Sequence, residues 1–117
     1  MTNAAWPWPD NLDALQAAAE YHHLIFENAR VRVLEVRIAP GQTVPVHTHR
    51  WPSVVQTQQL GAFVRRDGEG HVTFDSRNGP QDAAPAVQWL EPLPPHSVEN
   101  VGSQEIRLFT VELKEHA

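Results

Sequence analysis

Three histidines in this chain have the type and spacing of a metal site. His47 and His49 flank Thr48 in the run Gly41-Gln-Thr-Val-Pro-Val-His47-Thr-His49, and His96 stands in the later run Pro95-His96-Ser-Val-Glu-Asn100. On a strand, side chains two residues apart share a face at about 6.6 Å between Cα atoms, so both rings can turn toward one ion. Imidazole nitrogens bind zinc at about 2.0–2.1 Å, and a third histidine from a separate strand closes such a site from another wall. The chain has no cysteine, which excludes disulfides and thiolate ligands. The expected cofactor is therefore a divalent transition metal, one of Fe, Zn, Ni, Cu or Mn, held by His47, His49 and His96. His22 and His23 are adjacent and face opposite ways on an extended segment, so they cannot both serve one ion. They are left out of the site, as are His71 and His116, which fall outside both runs.

Positioning these residues takes strands. Arg30 to Ile38 alternates Arg32, Leu34, Val36 and Ile38 against Val31, Val33, Glu35 and Arg37, and Glu105 to Lys114 alternates in the same way. Further strands are expected at His23–Glu27, Val44–His49, Ser53–Arg66 (a pair broken near Gly61), His71–Asp75, Ala86–Leu90 and His96–Val101. Asp67-Gly68-Glu69-Gly70 reads as a hairpin turn, and Arg77–Pro85 as a surface loop. One short helix is expected through Leu12, Leu15, Ala18 and Ala19, capped by Asp10 or Asn11. Ahead of it, Trp6-Pro7-Trp8-Pro9 is an extended arm, because each residue before a proline is pushed out of the helical region. Eight to ten short strands at regular spacing make a sandwich or a barrel. The reading divides the chain into residues 1–22, arm and helix, and residues 23–117, barrel.

A chain of 117 residues fits one hydrophobic core. Its net charge of −5 argues against nucleic acid, whose phosphates need clustered Lys and Arg. No apolar run is long enough to span a bilayer, and Met1–Asp10 lacks the pattern of a secretory signal, so a cytoplasmic protein with no membrane partner is expected. The apolar arm suggests a homodimer, since an exposed patch of that kind finds a partner.

The two histidine runs resemble those of the cupin superfamily over roughly Glu27 to Lys114. That family's first motif is a glycine, five residues, His-x-His, three or four residues, a Glu, and about six residues later a Gly; here Gly41, His47, His49 and Gly61 match. Its second motif, Pro-x-Gly-x-x-His-x-x-x-Asn, is matched at His96 and Asn100. The resemblance implies an all-β cupin-type jelly-roll barrel (a double-stranded β-helix), here with a short N-terminal helix and with the metal inside.

Two positions depart from the pattern. The motif glutamate falls on Ser53 or Val54, neither a carboxylate, and the second motif's Gly falls on Leu93. Gln56 or Gln58 could offer an amide oxygen instead. Neutral ligands alone leave the ion its full charge, which favours an anionic ligand and acidifies bound water. Below about pH 6 imidazole near its reference pKa would protonate and let go. Arg65 could clamp a substrate carboxylate, Trp51 and Trp89 could line the barrel mouth, and Phe63 and Phe109 read as core. Two functions fit. One is a metal-dependent oxygenase or isomerase acting on a small anionic organic molecule. The other is a non-catalytic cupin that binds or senses a small-molecule ligand, its metal site weak or vestigial.

Overall fold

The inward face of the barrel carries a stripe that changes character along its length. Strand β2 (Val31–Ile38) and strand β9 (Ile106–Leu113) run antiparallel in full register, pairing Ile38 with Ile106, Val36 with Leu108, Leu34 with Thr110, and Arg32 with Glu112. One end of the stripe is aliphatic, and the other ends in an opposed charge pair. Both alternations expected from the sequence are present as strands, but Phe109, expected in the core, falls on the opposite face from Leu108 and Thr110 and is half-buried.

The structure is a computed structural model that describes residues 6–78 and 86–114. Among them lie seven more strands: β1 (His22–Glu27), β3 (Thr43–His47), β4 (Ser53–Gln59), β5 (Phe63–Asp67), β6 (Val72–Asp75), β7 (Val87–Leu90) and β8 (His96–Asn100). They form a five-stranded sheet ordered β1-β2-β9-β4-β7 and a four-stranded sheet ordered β3-β8-β5-β6, with every pairing antiparallel. This is the jelly-roll barrel expected. Ala18, Val36, Ile38, Val44 and Ile106 pack as the buried core at its aliphatic end, and Tyr21, Phe63, Val98 and Leu108 border them.

Both motif glycines have a local reason. Gly41 sits at φ +83°, a left-handed conformation that side chains resist. A Cβ on Gly61 would come within 2.7 Å of the Gln104 carbonyl oxygen. Asn100, fully buried, ties this end together: its amide donates to the Ile38 and Gln104 carbonyls and its oxygen accepts from Gly102 N–H.

The N-terminal segment differs from expectation. Asp10–Leu12 is a 3₁₀ turn, and the helix α1 covers only Ala14–Ala17. Asp13, rather than Asp10 or Asn11, caps it by accepting from Leu15 N–H at 3.3 Å. A helix running from Leu12 is prevented because the backbone there bridges to Thr48: Ala14 N–H donates to the Thr48 carbonyl at 3.0 Å, and Thr48 N–H to the Leu12 carbonyl at 2.7 Å. Part of the arm also packs on the barrel, with the Arg50 guanidinium 4.1 Å over the Trp6 ring. Large exposed apolar residues lie instead on the sheet edges, at Leu24, Ile25 and Phe26 of β1 and at Val72, Phe74, Val87 and Trp89 of β6 and β7. Of the expected Arg77–Pro85 loop, Ser76–Asn78 forms a 3₁₀ turn and residues 79–85 lie outside the described residues, as does His116. No helix among the described residues is long and apolar enough to cross a membrane.

Asp13 makes a two-pronged ion pair with Arg32, at 2.8 and 2.9 Å, and Arg32 Nε–H donates to Glu112 at 2.7 Å. Replacing Arg32 by Met strands two buried carboxylates. Urea unfolding should show a loss of about 3–5 kcal/mol; a loss below about 1 kcal/mol would contradict this role.

Candidate metal centre

His47 closes β3, His49 lies two residues on, and His96 opens β8 directly opposite His47 in the ladder. The Thr48 bridge to the N-terminal segment holds the link between the first two, and the Thr48 hydroxyl donates to the Leu93 carbonyl at 2.6 Å. His22 arrives from the other sheet: it opens β1 and pairs with the inward Val36. Its ring centroid lies 4.9 Å from that of His47 and 5.3 Å from that of His49. The rings of His47 and His49 stand 5.3 Å apart, and those of His47 and His96 4.6 Å. One ring nitrogen each from His22, His47 and His49 falls within 4.8 Å of the others, and His96 stands beside this triad against His47.

The exclusion of His22 is thus corrected. His22 and His23 do face opposite ways, but His22 is the buried inward one while His23 is exposed. The hairpin of β1 with β2 was the available signal, since the partner of an inward valine also points inward.

Each of the four imidazoles has its Nδ1 committed to an oxygen acceptor. His22 donates to the Ala18 carbonyl at 3.0 Å, His47 to Pro45 and His96 to Pro94, both at 2.8 Å. His49 donates to the Glu112 carboxylate at 2.5 Å. Those acceptors fix the proton on Nδ1 and leave Nε2 with its lone pair, which is the arrangement metal-binding histidines need. Protonation of three of them, His22, His47 and His96, is suppressed as well. Burial, then the neighbouring His49, holds His22 down at about 4. Burial, then the three surrounding imidazoles, pushes His47 down to about 2. Burial, with charge from His49 and Arg65, lowers His96 to about 4 against the bond to Pro94. The donor set fits a divalent transition ion: pre-oriented nitrogens, with His22, His47 and His96 held neutral by burial.

The motif's glutamate has moved rather than vanished. Ser53 lines the barrel cavity and lies directly across the ladder from Glu112, on the neighbouring strand. Glu112 is fully buried and ionised. Burial works against the charge, and the hydrogen bonds and charges of His49 and Arg32 overcome it, leaving its pKa below normal. Asp13 is balanced in the same way, burial raising it and Arg32 lowering it to a net depression. Gln56 and Gln58 are exposed and bond one another at 3.0 Å, so neither replaces the carboxylate.

The cavity beside the histidines has a volume of about 790 Å³ and is lined by residues of both sheets, a size that suits a small organic molecule. Trp51 and Phe63 line it, with the Arg32 guanidinium 5.1 Å over the Trp51 ring. Trp89 is exposed and donates to Glu91 at 2.5 Å, and Phe109 is half-buried on the outward face of β9. Asp67, Glu69 and His71 form a second cluster, exposed on the β5–β6 hairpin, where Asp67 Oδ1 already accepts from the Glu69 and His71 backbones.

Solved structures share this architecture. A cupin domain from Bordetella pertussis Tohama I is 26% identical, covers 80% of this chain and 92% of its own, and superposes with a TM-score of 0.62. An uncharacterised conserved protein with a double-stranded β-helix domain from Klebsiella pneumoniae is 17% identical and covers 100% of this chain and 85% of its own, TM-score 0.55. An RmlC-like cupin family protein from Methanocaldococcus jannaschii is 11% identical over 79% of this chain and 77% of its own, TM-score 0.53. The last two speak to the fold alone. No protein-family model matches the chain, and no curated protein matches it by sequence.

The lowered imidazoles of His22, His47 and His96 set a pH test. Their folded pKa values lie below the unfolded value near 6.5, so protons favour the unfolded chain. Stability of the metal-free protein should be full above about pH 6.5 and fall as pH drops toward 4. Ring proton resonances of His22, His47 and His96 should stay fixed between about pH 8 and 5; a midpoint near 6.5 for any of them would contradict the buried cluster.

Proposed function

The chain belongs to the cupin superfamily, and on that premise we propose that it is a divalent-metal cupin that takes a small anionic organic molecule into its barrel for chemistry of the oxygenase or isomerase kind. The observation that carries the reading is the set of four imidazoles with every Nδ1 tied and every Nε2 left free beside one cavity. His22, His47 and His49 would be the nearest ligands, with His96 completing an all-histidine set. A bound ion would supply Lewis-acid polarisation of a substrate oxygen.

The chain's own groups do the rest. Glu112 holds the proton on His49 Nδ1 and fixes the ring's direction. Arg32 keeps that carboxylate charged and turned away from the cavity. Val44, Val55, Leu108 and the aromatic rings give the pocket apolar walls that limit water. With neutral ligands only, the ion would keep its double charge, which supports an anionic ligand.

Calorimetric titration of metal-stripped protein with zinc and with Fe(II) tests this. One ion per chain should bind, and His22→Ala or His47→Ala should each weaken binding at least about tenfold. Glu112→Gln should cost about 10- to 100-fold through His49. If the wild type binds nothing, or if it and His47→Ala bind alike, the barrel is not a metal site and the non-catalytic reading is the better one.

A further inference from the structure

On the sheet that carries His47 and His96, Arg65 has no counter-charge among the described residues. Arg65 lies on β5 with its side chain in the cavity wall, and its Nε is buried without a hydrogen-bond partner. Neither a carboxylate nor a carbonyl among the described residues engages it. By contrast, Arg32, Arg37, Arg50, Arg66 and Arg107 each have an acidic side chain within 4.0 Å. Burial is the one influence on its ionisation, and it pulls the pKa below the usual arginine value. A guanidinium stays charged in any case, and leaving its Nε–H buried without an acceptor is costly.

Its surroundings are those of a recognition site. Arg65 stands opposite Val98 in the β5–β8 ladder, and His96 is two residues along from Val98 on the same face. Diagonal neighbours of this kind lie about 7–8 Å apart, so one small molecule can reach both. The guanidinium carbon lies 5.8 Å from the Phe63 ring centroid and 5.6 Å from that of Phe74, and the two rings are 5.3 Å apart. Both rings lie within cation–π range of the guanidinium, and its planar fork of N–H groups suits a planar acceptor. A second orphan, the buried Thr110 hydroxyl, lines the same cavity from the five-stranded sheet.

We infer that Arg65 is the anion anchor of the barrel: it receives a carboxylate edge-on, with two parallel hydrogen bonds, from a ligand whose apolar or aromatic body lies between Phe63, Val98 and Leu108. This rests on the reading of the cavity as the ligand site and names its substrate class, a small carboxylic acid; it does not require the metal. Arg32 is outweighed by Asp13 and Glu112, so that buried network carries one negative charge, which is committed to His49, while the cavity lining itself holds Arg65 and, at Glu91, a carboxylate that accepts from the Trp89 ring.

Benzoate and its uncharged counterpart benzamide are the probes, titrated into metal-free and zinc-loaded protein. Benzoate should bind both forms and shift the Arg65 Nε–H resonance downfield, while benzamide should not. Arg65→Met should weaken benzoate at least about tenfold, and Arg65→Lys, which loses the fork, should recover only part of it. Zinc affinity should stay within about threefold in both variants, which separates this anchor from the metal site. Should Arg65→Met fail to fold, the wild-type Nε–H shift gives the same answer. Benzoate binding that is equal in wild type and Arg65→Met, or that leaves the Nε–H signal unmoved, or that is absent from both wild-type forms, would overturn the assignment.

Discussion

A buried carboxylate held between a guanidinium and an imidazole organises this barrel. Glu112 is fully buried, accepts from Arg32 Nε–H on one oxygen and from His49 Nδ1–H on the other. Neither bond survives without the rest of the chain. Arg32 can lie inside the barrel because Asp13 takes its other edge. Asp13 is in place because the backbone on either side of it is bridged to Thr48, the residue between His47 and His49. The chain from Asp13 through Arg32 and Glu112 to His49 therefore couples the N-terminal segment, the β2–β9 ladder and the first histidine run. Buried charges are tolerated only when paired and hydrogen-bonded, so the network holds as a whole.

This arrangement also decides what the site can be. A glutamate at position 53 would face the cavity as a direct ligand; Ser53 leaves that place small, and the carboxylate acts one strand away, through an imidazole. His22, His47 and His96 then meet the cavity as neutral donors. Their depressed basicity follows from burial and from mutual proximity. The aliphatic end of the β2–β9 stripe supplies most of the packing, which leaves the other end free to carry polar groups that contribute little to it.

Much of the fold was legible because strand periodicity is local. The strands Val31–Ile38 and Ile106–Leu113 each contain a single charged residue, Arg32 and Glu112, on the face that is otherwise inward. Those intrusions mark the buried pair, but only the ladder register shows that they meet. His47 and His96 were visible from their spacing, and the structure sets them opposite one another in the β3–β8 ladder. His22 was lost because its direction depends on pairing with Val36, a non-local fact, and because His23 beside it obscured the pattern. The helix was overestimated for a related reason: the bridge to Thr48 captures backbone groups that a longer helix would need. Asn100, which a motif reading places beside the site, serves the turn at Gly102 and Gln104 instead.

The central claim is an all-histidine centre completed by His22. X-ray absorption at the zinc edge of the loaded wild-type protein and of His22→Phe tests it most directly. The account predicts a first shell of imidazole nitrogens at about 2.0–2.1 Å, four in the wild type and one fewer in His22→Phe. A shell dominated by carboxylate oxygen, or one unchanged by His22→Phe, would contradict it.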